Sequence, residues 1–447
     1  MRRLLAVSIL ALAFVGTAFV GTGAGAPAAT AADPLVPSEW WLSHVGADRA
    51  EPPGPGVPIT IVDSGVDPTH PEFAGRPNTT FLNAQSVTGP AEYHGTIVAS
   101  LAAAPANGVG IEGLYPQAAL QVYDASPSGR GIGDNDAIAG ILAAAARCPG
   151  VISLSFGGVA QDPQLEDAIL TAFHNGCLVV AAAGNGGELG GPIPFPAAWP
   201  HVLTVGATDR SDTIASFSST GQAVDLVAPG VDMVGAVPLT RNPTGYAEGL
   251  AGTSFAAPLV AAAAAWVWTE RPSLTVTELA DVLRRSARDL GPSGFDPSYG
   301  FGILDVPAAL AAPTPPPDAM EPNDDVAQVR SGRLFEVGQA PLTTPAAPSA
   351  RISASIDSEE DPRDVYRIWV PAHRTVRVTV ASEGRAAVRI WGPLTVSVNE
   401  GVKARRRDLR GPRVRANGAG FWAYAEVLLT GRSRDATYTL AVTATTR

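Results

Sequence analysis

Pro58-Ile59-Thr60-Ile61-Val62-Asp63-Ser64-Gly65 is a short apolar run that stops on an acid and a glycine. It reads as a strand over 58–63, and the chain beyond it repeats the theme. Strands are expected at 119–124, 151–155, 178–183 and 202–207, with helical patterns near 94–104, 134–147, 162–175, 254–269 and 275–288. Short apolar runs alternating with helical patterns imply βαβ units, hence a mostly parallel sheet with helices on both faces. Ligands of such sheets gather beyond the carboxyl ends of the strands. Asp63 closes one of those strands, and Asn185 follows another.

Two further segments set chemistry-bearing side chains among small residues: His94-Gly95-Thr96 and Gly252-Thr253-Ser254. Nucleophilic acyl transfer needs a hydroxyl, an imidazole to take its proton, and a carboxylate that fixes the tautomer of that imidazole. Asp63, His94 and Ser254 supply the three in the order acid, base, nucleophile, which differs from the orders of chymotrypsin-like proteins and α/β-hydrolases. Taken singly, each residue also reads as a cap, a turn residue or a core histidine. Only a fold could bring the three together.

The words around these residues carry a resemblance. Asp63-Ser64-Gly65-Val66-Asp67, His94-Gly95-Thr96, Ala181-Ala182-Ala183-Gly184-Asn185 and Gly252-Thr253-Ser254-Phe255-Ala256-Ala257-Pro258 stand in the order and at the intervals of the subtilisin-like serine proteases, over roughly residues 38–310. The resemblance implies a secreted serine endopeptidase. Ser254 would be its nucleophile, His94 the general base and then acid, Asp63 the orienting carboxylate, and Asn185 the oxyanion donor beside the Ser254 amide. It further implies that Ser153-Leu154-Ser155-Phe156-Gly157 and the opposite edge Gly129-Arg130-Gly131 hold a peptide as an added strand. Ala182, Ala183 and Gly184 would line the primary side-chain pocket, with Glu188 in the pocket loop, and Phe195-Pro196 would be cis. The other reading of 153–157 is ordinary sheet core. The competing function is a catalytically silent scaffold of the same fold whose β-domain binds a partner or surface.

The chain departs from that pattern in two ways. Ile97 stands where many subtilases have a second histidine, which bears on packing more than on proton transfer. Between the leader and Trp40-Trp41 there is no room for the usual inhibitory prodomain, so latency is expected to be handled differently. No metal is expected in the chemistry. Structural calcium sites are frequent in the family, but no dense acidic loop makes one convincing here.

Composition frames this reading. The 447 residues point to two domains and a leader. Arg2-Arg3, the apolar run Leu4 to Val20 and the small residues up to Ala32 read as a signal peptide over 1–32, with an uncleaved membrane anchor as the alternative. The catalytic unit is expected over 33–310, a stiff Pro-rich linker over 311–317, and a small β-sandwich over 318–447. In that last part Glu321-Pro322-Asn323-Asp324 and Asp364 to Val370 resemble the bacterial pre-peptidase C-terminal domain.

The formal charge is −11, and loss of Arg2 and Arg3 with the leader makes it more negative, which argues against a nucleic-acid partner. The basic cluster Lys403, Arg405, Arg406, Arg407 and Arg410 reads as a solvated loop or an anionic-partner site. The acidic Asp324, Asp325, Glu359, Glu360 and Asp361 read as solvated turns, with calcium ligands as the alternative. Ala256 to Trp268 is almost wholly apolar but too short to span a bilayer, so it reads as a core helix. Cys148 and Cys177, the two cysteines, precede neighbouring strands and could pair or stay separate buried thiols. The expected protein is a monomer outside the cytoplasm, off the membrane after leader removal, acting on polypeptides.

Overall fold

Residues 32–87, 93–199, 201–315, 320, 341–357, 363–382, 386–392, 413–431 and 435–445 are described by the structure, a computed structural model. The leader up to residue 31, the end of the linker, Glu321-Pro322-Asn323-Asp324, Asp325, Glu359, Glu360, Asp361 and the basic cluster at 403–410 lie outside the described residues.

Strands that are apolar at every position can be buried only if both faces of their sheet are covered. The sheet has seven parallel strands, β1 (Ile59–Asp63), β2 (Thr79–Phe81), β3 (Leu120–Asp124), β4 (Gly150–Leu154), β5 (Cys177–Ala182), β6 (Val202–Thr208) and β7 (Leu226–Pro229), in the order β2-β3-β1-β4-β5-β6-β7; β1 and β4 to β7 are buried at every position, whereas the edge strand β2 is largely exposed. An antiparallel hairpin, β8 (Met233–Ala236) and β9 (Tyr246–Leu250), stands apart. The helices are α1 (Trp40–His44), α2 (His94–Ala103), α3 (Asp134–Ala145), α4 (Pro163–His174), α5 (Thr253–Glu270), α6 (Val276–Ser286) and α7 (Val306–Ala311).

Alternate residues of one strand feed two different cores. Ile61 and Val180 pack with α2 and α5, whereas Val62 and Val179 pack with α3 and α4. The chain leaves β1 for β2 and β3 on one side, then crosses to β4 on the other. The strand order thus reverses beside the carboxyl end of β1, where Asp63 stands.

The long strands and helices match the expected ones within a few residues. The short strands β2 and β7, the β8–β9 hairpin and the terminal helices α1 and α7 were not anticipated, because three to six residues carry too little periodicity to be read. Cys148 and Cys177 form a disulfide across the amino ends of β4 and β5. Phe195-Pro196 is cis, and so is Cys148-Pro149, which nothing in the sequence had flagged.

The C-terminal unit is antiparallel: β10 (Ala350–Asp357), β16 (Asp435–Thr445), β12 (Thr375–Ser382) and β14 (Arg413–Arg415) form one sheet, and β11 (Arg363–Val370), β15 (Phe421–Leu429) and β13 (Ala386–Trp391) another. Their inner faces share one apolar core. Tyr366 and Tyr438 bridge the two sheets through their hydroxyls at 2.5 Å, and Tyr438 also donates to Asp364. The N-terminal unit meets this sandwich at buried Arg284 of α6, which lies 2.7 Å from Asp281 and 3.5 Å from Asp357 of β10.

A set of buried acids ties the N-terminal segment to its neighbours. Asp33 accepts from the backbone of Asn107 and Gly108, Glu39 from Glu112 N at 2.9 Å, and Glu72 from Ile111 N at 3.0 Å and the Tyr246 hydroxyl at 2.7 Å. The second oxygen of each, Asp33 Oδ2, Glu39 Oε1 and Glu72 Oε2, has no hydrogen-bond partner among the described residues. These are hard oxygens of the kind calcium takes. Among the described residues no three His, Cys, Asp or Glu side chains are gathered to hold an ion.

Burial, reinforced by the neighbouring acids, pushes Glu39 up to about 8 and Glu72 up to about 7. Between their ordinary carboxyl pKa values and those raised ones the folded chain holds protons that the unfolded chain has lost. Stability therefore falls as pH rises through that window, and the loss is complete above the folded pKa values. Melting temperature should drop steadily from pH 5 to pH 9, and Glu39→Gln should flatten it. Calorimetry of both proteins across that range checks this, and parallel curves would refute it.

Candidate active site

Asp63 is buried at the end of β1. Its Oδ1 accepts from its neighbour Ser64 N at 2.7 Å and faces Nδ1 of His94 at 2.9 Å, with Oδ2 at 3.1 Å from the same nitrogen. A carboxyl bracketing Nδ1 places the ring proton there and leaves Nε2 as the free lone pair. His94 opens α2, and the helix can start this close to the loop after β1 only because Gly95 follows it. A Cβ on Gly95 would lie 2.3 Å from the Gly65 carbonyl. Ser64 Oγ accepts from Gly95 N at 3.1 Å and holds the two segments together. Burial alone lowers the pKa of the imidazole, but the Asp63 charge and hydrogen bond overcome it, so the pKa of His94 lies above the ordinary histidine value. Ile97, one turn along, is fully buried in the main core, which accounts for an apolar residue at that position.

Ser254 is the second residue of α5. Its hydroxyl donates to the Ser155 carbonyl at 3.1 Å, and the Ser155 hydroxyl donates to the Ser254 carbonyl at 2.9 Å. The next residue, Phe255, places its ring 5.7 Å from that of His94. Asn185 Oδ1 accepts from both N and Oγ1 of Thr253, each at 2.9 Å. A backbone N–H can only donate, so the oxygen of the Asn185 amide is fixed toward Thr253 and its NH2 is the free end. Gly184 N donates to Thr253 Oγ1 at 3.2 Å, completing a knot between the turn after β5 and the start of α5.

A cavity of about 420 Å³ opens beside Asp63, His94 and Ser155; Ser254 and Asn185 are not among its walls. Asp63, Ser64 and His94 form its polar end, and Ile132, Ala137, Phe156, Leu165 and Phe195 its apolar walls. Gly158 pairs with Phe195 in both directions, at 2.9 and 2.8 Å, and closes one side. Of the residues named from sequence, Ser155, Phe156, Gly157 and Gly131 are walls of this cavity. Ser153 and Leu154 are fully buried in the sheet, Ala182 and Ala183 are almost wholly buried, Gly129 is buried, and Gly184 is half-buried; none of these walls the cavity. Glu188 accepts a hydrogen bond from Ser216. Ile132, Ala137, Leu165 and Phe195 were missed. Apolar residues at the start of α3 and in α4 look like core, and nothing local reveals that they face a hollow.

Comparison with known proteins matches residues 54–302 to the Subtilase family. Subtilisin Savinase of Lederbergia lenta is 36% identical over 277 residues, 60% of this chain and 97% of that protein. The alkaline protease of Alkalihalobacillus alcalophilus is 36% identical over 277 residues, 60% of this chain and 69% of its own. Subtilisin E of Bacillus subtilis (strain 168) is 36% identical over 264 residues, 57% and 66% of the two chains.

Proposed function

Because the chain belongs to the subtilase family of serine endopeptidases, we propose that it cleaves polypeptides through an acyl-enzyme on Ser254, with His94 as base and acid and Asp63 holding the imidazole. The observation that carries this is the Asp63–His94 hydrogen bond at 2.9 Å, which commits Nδ1 and leaves Nε2 to take a proton. To react, the Ser254 hydroxyl must exchange the Ser155 carbonyl, to which it donates in the structure, for Nε2 of His94. Attack on the scissile carbonyl forms the Oγ–C bond as the hydroxyl proton passes to His94, and His94 returns that proton to the departing amine. Water then repeats the sequence to release the acid. The free NH2 of Asn185 and the Ser254 amide receive the oxyanion. These groups supply the whole of the chemistry without a cofactor.

The cavity supports an apolar side chain on the acyl side of the cleaved bond. The disulfide supports an oxidising, extracytoplasmic location, in keeping with a signal peptide over 1–32. Among the described residues no helix is long and apolar enough to cross a membrane. The antiparallel C-terminal unit is compatible with a pre-peptidase C-terminal-like domain, and a monomer is the working assembly.

A fluorophosphonate probe should label the folded protein, with the adduct on the peptide that carries Ser254. Folded protein that stays unlabelled would favour the silent scaffold. Because His94 must be neutral to act and its pKa is raised, kcat/KM should fall away on the acid side from a midpoint above about 6.5. Asn185→Ala should lower kcat by about 100- to 1000-fold with little change in KM, the family's own benchmark for this donor. Steady-state kinetics on a peptide substrate checks it, and an undiminished kcat would remove Asn185 from the mechanism.

A further inference from the structure

We propose that Ser126 is a positioning residue that holds the glycine-rich rim of the cleft in its peptide-binding shape. This rests on the peptidase reading of the cleft. Ser126 is fully buried just beyond β3. Its N–H donates to Asp124 Oδ1 at 2.8 Å, and Asp124 Oδ2 accepts from Ser86 N at 2.8 Å, so the residue is fastened to the sheet. Its hydroxyl then donates to the Gly131 carbonyl at 3.1 Å and accepts from Gly131 N at 3.2 Å. Gly129 N donates to the Ser126 carbonyl at 2.9 Å.

The segment so closed contains Gly129 and Gly131, both at positive φ, +67° and +108°. Glycines have the most conformational freedom to lose, so a rim built on them needs a tie to stay in one shape. Ser126 supplies that tie while turning both polar groups of Gly131 inward. The Gly129 carbonyl and the N–H and carbonyl of exposed Arg130 have no hydrogen-bond partner among the described residues. An added strand pairs with open N–H and carbonyl groups of an edge, and the Ser126 tie keeps those of the rim in one register.

Kinetics on the full chain tests this with two substrates: a peptide reaching several residues to the acyl side of the cleaved bond, and a single-residue ester that does not reach the rim. Ser126→Ala should raise KM for the long peptide by about tenfold and leave its kcat and the ester kinetics in place. Hydrogen exchange at the Gly131 amide should accelerate in the same variant. Unchanged KM, or an equal loss on both substrates, would overturn the proposal. Should Ser126→Ala not fold, Ser126→Cys keeps the side-chain size and weakens both hydrogen bonds to Gly131; it should raise KM on the long peptide alone, and an unchanged KM there counts against the proposal. If the wild type neither cleaves nor takes up fluorophosphonate, the peptidase reading itself has failed, which is a different result.

Discussion

Ser254→Ala should lower kcat by about six orders of magnitude and abolish fluorophosphonate labelling, a size carried over from this family's benchmark. The expectation follows from where the hydroxyl sits. It is the nucleophile's only reactive atom, and the rest of the arrangement exists to take its proton and receive the charge it creates. The variant should fold, because the lost group makes one hydrogen bond, to the Ser155 carbonyl, while the Ser155 hydroxyl keeps its grip on the residue 254 backbone. Retained peptide binding with turnover reduced to a remnant is the expected combination. Peptide cleavage at the wild-type rate would end the acyl-enzyme mechanism.

Asp63→Asn should cost about 10,000-fold in kcat. An asparagine can still accept from Ser64 N through its oxygen, but its NH2 would then face Nδ1 of His94. That drives the ring proton to Nε2, so the imidazole presents a hydrogen to Ser254 instead of a lone pair. The same substitution removes both influences that raise the His94 pKa and leaves burial, which lowers it. The acid limb of the residual activity should therefore move to lower pH than in the wild type. A pH–rate profile of the two proteins reads this, and coincident limbs would show that Asp63 does not set the titration of His94.

The frame of the fold was legible because its long buried strands and helices speak through periodicity alone. Asp63, His94, Asn185 and Ser254 were legible because their neighbours are constrained too; Gly95, for example, has no space for a side chain against Gly65. What the sequence concealed depends on pairing across distance. Ile132 and Leu165 become cavity walls only when α3 and α4 converge above the cleft, and nothing in their local pattern separates them from core. Gly131 was read as an edge from its place in a motif and does wall the cavity, but that its N–H and carbonyl both bond the Ser126 hydroxyl had no local sign. The buried acids Glu39 and Glu72, far apart in the chain, likewise gave no local sign that they would be brought into one another's field.

Thr253, immediately before the nucleophile, clasps the Asn185 amide through two hydrogen bonds. On the proposed mechanism, attacker and charge-receiver are therefore tied to each other through Thr253, whereas the His94 ring is set from a different segment, the start of α2.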